Sequence, residues 1–166
     1  MPVTHNILII TGAAPCVRDD IENLPLNDFE ADYMAIGMDA VDKYLWPINF
    51  MATYHAEDIP KAKEIREAMG GNTNYKVISH NPGDGIDIVE PYVGPTGSSA
   101  LCGALAGIRM GYRKIILCGC PLLEKKYVVF QAGWKAKEKQ VMGIVKSLSG
   151  WTREFLGAPT KEWLGG

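Results

Sequence analysis

The stretch PTGSSALCGALAGIRMG, from Pro95 to Gly111, opens on Thr96, Gly97, Ser98 and Ser99: three hydroxyl side chains and a glycine at the start of a helical pattern. One serine or threonine in such a place caps a helix by accepting a backbone N–H. A cap needs one hydroxyl and there are three, so the others suit a ligand, and Gly97 lets that ligand approach the backbone. Helix N-termini present unpaired N–H groups and the positive end of the helix dipole, which makes an anion such as phosphate the natural guest. A second turn, TGAAPC, offers Gly12, Ala13, Ala14, Pro15 and Cys16 between an apolar run and another helical pattern. Its main-chain amides can also hold an anion. It is neither the lysine-bearing P-loop nor the three-glycine dinucleotide fingerprint.

Two histidines close strand-like runs: His55 in INFMATYHAED and His80 in NYKVISHNPGDG. A histidine gives or takes a proton near neutral pH, so both are candidate catalytic acid–base groups. Asp39, in AIGMDA, is placed either to contact a ribose or base or to cap a following helix. Glu57, Asp58 and Asp84 are the other acids near these turns, and Asp58 reads as a helix cap. His5 stands before the first strand, at the opposite edge, and is set aside. No G-x-S-x-G elbow is present to support a serine nucleophile. The four cysteines, at 16, 102, 118 and 120, lack the paired spacing of a zinc site and read as reduced thiols packed as small apolar groups. No metal-ligand set is legible, and a role for Mg²⁺ is left open.

The apolar pattern says what holds these residues. Ile7–Ile10 is a continuous apolar run ending in glycine and proline, as suits a strand covered on both faces of a parallel sheet. Further strands are expected at Tyr33–Ile36, from Ile48 toward His55, from Asn74 toward His80, and at KIILC from Lys114. DIVEPYV, from Asp87, reads as a short edge strand, because Pro91 cannot serve a central one. Helices are expected in CVRDDIENLP, in DIPKAKEIREAMGG and from Ser98 to Met110. In the last, Leu101, Leu105 and Ile108 face the core and Gly103 and Gly107 allow close approach to a sheet. The tail, 131–166, carries Trp134, Val141, Ile144, Val145 and Leu148 at helical spacing and is read as helical. Its Trp151, Phe155, Leu156 and Trp163 either cover the sheet's last face or meet a second subunit, and a homodimer is expected.

Strands alternating with helices specify an α/β fold, a three-layer Rossmann-like sandwich with a mostly parallel open sheet and helices on both faces. At 166 residues the chain suffices for a single domain, with a core over 5–123. Ligands of such sheets bind outside the carboxyl ends of the strands, and every unusual turn named above falls there. With 47% hydrophobic residues, 22% charged and a net charge of −2, the chain has no basic surplus for nucleic acid. Lys135, Lys137 and Lys139 would lead any local basic patch. No run of about 20 apolar residues crosses a bilayer, and a cytoplasmic protein without a membrane partner is expected.

TGAAPCVRDDIENLP, ADYMAIGMDA and PTGSSALCGALAGIRMGYRKIILCGCPL together resemble, over roughly residues 7–123, the bacterial sialyltransferases of the Campylobacter type. Motility-accessory-factor flagellin glycosyltransferases and archaeal 6-hydroxymethylpterin pyrophosphokinase-like proteins share a similar opening. The ending VKSLSGWTREFLGAPTKEWL is similar to that of small phage and prophage proteins. The resemblance implies a Rossmann-like fold binding a nucleotide or nucleotide-sugar. Gly12–Cys16 and Thr96–Ser98 would hold the nucleotide, as in a transferase of glycosyl or nucleotidyl type. The chain departs from the pattern at Ala13-Ala14 for Asn-Gly, Cys16 for Ser, Met38 or Asp39 for Asn, and Gly119-Cys120-Pro121 for Gly-Ile-Asp. The family's catalytic histidine lies in a lid beyond the fifth strand, and this chain has none after His80. A second expectation is therefore a binding, phage-assembly or accessory protein that keeps the fold without turnover.

Overall fold

The computed structural model describes residues 5–26, 30–91, 94 and 98–165. Thr96 and Gly97, two of the expected nucleotide-binding residues, lie outside the described residues. The expected α/β sandwich is present as one fully parallel sheet. Its strands are β1 (Ile7–Thr11), β2 (Asp32–Ile36), β3 (Phe50–Ala52), β4 (Lys76–Ser79), β5 (Ile88–Val89), β6 (Lys114–Cys118) and β7 (Val145–Ser147). They lie in the order β5-β4-β3-β2-β1-β6-β7. The chain builds outward from β1 to β5 on one side, then crosses back and adds β6 and β7 on the other. The strand order therefore reverses between β1 and β6, which pair from Ile7↔Lys114 to Thr11↔Cys118.

The apolar run of β1 is continuous because both of its faces are covered. Leu8 and Ile10 join one core with Met34, Leu101, Leu105, Leu117 and Trp134. Ile7 and Ile9 join another with Ile116, Cys118 and Leu164. Each such side chain taken fully out of water stabilises the fold by about 1.5–3 kcal/mol. A third core, under α2 (Ile59–Ala68), gathers Val41, Tyr44, Met51, Ala62 and Val77.

Helix α3 (Ser99–Met110) is the crossover that positions the proposed site. Its first residue follows the Ser98 cap, whose Oγ accepts the Leu101 N–H at 3.1 Å. Gly111, at φ 105°, ends it in the left-handed conformation that glycine takes without cost. A Cβ on Gly103 would lie 2.6 Å from Met34 Sδ, and one on Gly107 2.8 Å from Leu8 Cδ2. The two glycines thus let the helix ride directly on β2 and β1, as their spacing predicts.

The tail departs from the helical expectation. After α4 (Phe130–Ala136) and α5 (Glu138–Val141) it lays down β7 beside β6, then α6 (Gly150–Leu156) and α7 (Lys161–Gly165). Val145 reads as part of a helical stripe because Val141 and Leu148 flank it at three- and four-residue steps; pairing with the exposed edge of β6 overrides that local pattern. Leu156 is buried in the first core, Trp151 and Phe155 stack on each other against it, and Trp163 packs against Ile116's core. Of the two roles expected for these aromatic groups, covering the sheet is the one seen: Trp151, Phe155 and Trp163 pack half-buried against its cores.

One buried cation organises the region between β2 and β3. Arg66, fully buried on α2, donates to the carbonyls of Val41 (2.9 Å), Tyr44 and Trp46 (2.6 Å). A loop running over the surface has carbonyls to satisfy, and a forked guanidinium serves several at once. Tyr44 and Trp46 stack at 4.5 Å on top of this clamp.

Candidate functional site

Because all strands run the same way, the turns after them share one edge. They divide into two zones. The first lies where the strand order reverses, around the turns after β1, β6 and β7. Gly12 donates its N–H to Cys118 O at 2.8 Å and Ala14 to Gly119 O at 3.3 Å. A Cβ on Gly12 would fall 2.3 Å from Gly119 O. The glycine is there because two loops touch. The expectation that amides of residues 12–16 face an anion is narrowed accordingly, since those of Gly12 and Ala14 are committed inside the fold.

Asp20 holds this zone together. It projects from α1 (Val17–Glu22), is buried, and its Oδ2 accepts the Gly119 N–H and the Ser149 hydroxyl, each at 2.7 Å. Ser149 also lies 3.3 Å from Cys16 Sγ. Thr152 extends the web, donating to Cys120 O at 2.7 Å and meeting Ser147 Oγ at 2.8 Å. Pro15 and Ala13 remain exposed on the outer side of the turn. Burial pushes the Cys16 thiol up, and the Cys120 thiol up to about 12, so both stay protonated at neutral pH and neither is an activated nucleophile.

The second zone lies at the carboxyl ends of β2, β3 and β4, beneath the start of α3. Gly103 touches Ile36 and Ala52 near the ends of β2 and β3, so Ser98, more than one turn earlier, stands toward the carboxyl edge. The Ser98 hydroxyl is the helix cap, and Ser99 is half-buried in the first turn. His80 follows β4 half-buried and packs edge-on against the Tyr54 ring, centroids 4.9 Å apart. Tyr54 also interacts with the Cys102 thiol of α3, so the turns after β3 and β4 and the helix meet at this pair. Burial holds Cys102 up at about 12. His55, by contrast, is exposed, its Nδ1 3.4 Å from Glu57 Oε1. Asp39 is exposed in the short helix Met38–Ala40, whose cap position belongs to Gly37, so it does not cap that helix. Asp58 occupies the cap position of α2 without a capping bond from its side chain.

Sequence reasoning does not find Asp20, Ser149, Tyr54 or Glu90. Asp20 looks like one acid on a polar helix, and its partners lie 99 and 129 residues away. Glu90, after β5, is buried beside Arg109 Nη2 at 3.1 Å, and desolvation raises its pKa. Among the described residues no group of three His, Cys, Asp or Glu side chains stands close enough to hold a metal ion. No described helix is long and apolar enough to cross a membrane.

No protein-family model and no curated protein matches the sequence. Among solved structures, the fold is similar to that of the sialyltransferase CstII from Campylobacter jejuni in complex with a substrate analogue, cytidine-5'-monophosphate. The TM-score is 0.64 and the identity 12%, covering 96% of this chain and 97% of that one.

Proposed function

We propose that this protein binds a nucleotide or nucleotide-sugar at the carboxyl edge of its sheet and acts as a sialyltransferase-like transferase. The observation that carries this is the meeting of a capped helix start with the His80–Tyr54 pair over the ends of β2–β4. The anionic end of the ligand belongs at the start of α3, beside Ser98 and Ser99, with Thr96 and Gly97 preceding them in the sequence, because first-turn N–H groups and the helix dipole favour negative charge there. The outer turn, Ala13, Pro15 and Cys16, and Asp39 border the same edge and are assigned to the nucleotide. His80 is the proton-transfer group of choice, since its ring is fixed by Tyr54; exposed His55 is the alternative. The likeness to a sialyltransferase structure that holds cytidine monophosphate supports the choice of ligand class.

A second reading, a binding or accessory protein of phage or prophage type without turnover, is favoured by one observation: the Gly12 and Ala14 amides are consumed by the loop after β6. Thermal shift against cytidine, uridine and adenine nucleotides and their sugar conjugates tests both readings. A ligand at a hundred times its dissociation constant adds about 2.7 kcal/mol, a rise of roughly 5–11 °C in a domain of this size. An unmoved melting temperature across the panel would remove both the ligand and the reaction. Given binding, donor hydrolysis by His80→Gln and His55→Gln separates the readings, and unchanged turnover in both removes histidine from the chemistry.

A further inference from the structure

His80 and Glu90 leave the sheet side by side. Ser79 and Val89 are partners at the carboxyl ends of β4 and β5, so the next residues of the two strands are His80 and Glu90. Neighbouring strands run about 4.8 Å apart, and the Glu90 N–H donates to Ser79 O at 2.8 Å, one residue before His80. Both side chains meet α3. Glu90 Oε1 accepts from Arg109 Nη2 at 3.1 Å, whereas His80 reaches the helix through the Tyr54 ring. The two routes join at Cys102. Burial raises its thiol to about 12, the Glu90 carboxylate adds to that rise and Tyr54 opposes it, so Cys102 lies within reach of both. One line of neighbours thus runs from Arg109 through Glu90, Cys102 and Tyr54 to His80, across the carboxyl ends of β3, β4 and β5.

An acid is a costly choice at this position. Glu90 is 3% exposed and its Oε2 is buried without a hydrogen-bond partner. A buried polar atom left unpaired destabilises a fold, and an apolar side chain would fill the same space without that loss. What an apolar side chain lacks is a fixed attachment. Arg109 grips Glu90 from the exposed side of α3, and the half-buried Lys137 also acts on it. Held by its backbone and its carboxylate, Glu90 is a firm backing for the part of α3 that meets Tyr54.

We propose that Glu90 is a positioning residue for His80, bracing Cys102 from the neighbouring strand so that Tyr54 and the imidazole keep one orientation. The assignment rests on the reading of His80 as the proton-transfer group, and it adds the element that fixes the ring. Such a group must be held within about 0.5 Å of its productive place by side chains that are themselves locked. Tyr54, half-buried in the turn after β3, is locked through the helix behind it.

The test is proton NMR of the intact protein, joined to hydrolysis of a cytidine-monophosphate sugar conjugate. The chain has three histidines, and H5Q, H55Q and H80Q assign their imidazole signals. Those of His80 carry the ring-current shift of Tyr54, whose full size Y54L reveals. E90Q keeps the bulk of the side chain and is expected to move the His80 signals toward their Y54L positions, leaving His5 and His55 unmoved. C102A and the surface change R109Q are expected to move them the same way. In hydrolysis E90Q is expected to lower kcat by roughly 10–100-fold with KM unchanged, because a misplaced group loses turnover rather than ground-state binding. A cooperative melting transition in each variant verifies that the fold is kept. His80 signals that stay in place in E90Q, or that move in E90Q but not in C102A, overturn the proposal, as does an E90Q loss that falls on KM. Unchanged hydrolysis in H80Q refutes the reading of His80 instead, while the resonances still decide whether Glu90 holds the ring.

Discussion

Replacing Asp20 by alanine removes the acceptor on which two distant chain segments converge. Gly119 N–H and Ser149 Oγ each lose a 2.7 Å bond to a carboxylate oxygen. Bonds to a charged acceptor contribute about 1.5–3 kcal/mol each, and the two losses are unequal. The Gly119 amide is buried in a closed turn and keeps no alternative, so the upper part of that range applies. Ser149 can turn toward Cys16 Sγ, already 3.3 Å away, and recover part of its loss. The sum is about 3–4 kcal/mol. For a chain of this length that lowers the melting temperature by roughly 6–16 °C. Asp20→Asn keeps one oxygen where Oδ2 now sits, able to accept both donors without charge, and is expected to cost less than half as much. The assay is urea unfolding of the three proteins with a common m-value, followed by calorimetry. If Asp20→Ala unfolds within about 0.5 kcal/mol of the wild type, or at no lower urea concentration than Asp20→Asn, the claim that this carboxylate ties the turns together is wrong.

Three further outcomes are expected. Gly12→Ala must push Gly119 O away from its 2.3 Å clash and is expected to destabilise by about 1–3 kcal/mol in the same unfolding assay. Arg66→Lys replaces a fork that serves several carbonyls with a single ammonium; a loss of roughly 2–4 kcal/mol is expected, with a red shift of tryptophan emission as Trp46 leaves Tyr44. Burial raises the Glu90 pKa, so the folded state holds that proton more tightly than the unfolded one. Stability therefore falls as pH rises from the ordinary glutamate range near 4.3 through the raised value. Glu90→Gln abolishes that slope: its melting temperature, measured against the wild type's, is expected to gain steadily between pH 4 and pH 8, and a constant difference across that range would count against the assignment.

How far the sequence carries the reader depends on whether the signal is local. β1 and β6 are legible because burial on both faces demands an unbroken apolar run, and α3 because Ser98, the two glycines and Gly111 mark its start, its contact face and its end. β7 is not legible, since its three residues VKS carry no alternation and its neighbours fall at helical spacing. The candidate site divides in the same way. His80 is marked by its place at a strand end, whereas the reason to prefer it over His55, the Tyr54 ring, comes from the turn after β3 and exists only once β3 and β4 pair. Gly12 is legible as special, but its cause is a carbonyl 107 residues downstream in the chain.

That separation also orders events during synthesis. β1 is the centre of the finished sheet, yet its second neighbour, β6, emerges only after residue 118 has been made. At the usual 5–20 residues per second the ribosome needs roughly 5–20 s to travel from Thr11 to Cys118. For that interval the nascent chain can assemble β1 to β5 while the most apolar strand offers one bare edge to the surroundings, an invitation to strand addition by other chains. Chaperone capture is accordingly expected to peak on nascent chains stalled before residue 114 and to subside once β6 has cleared the exit tunnel.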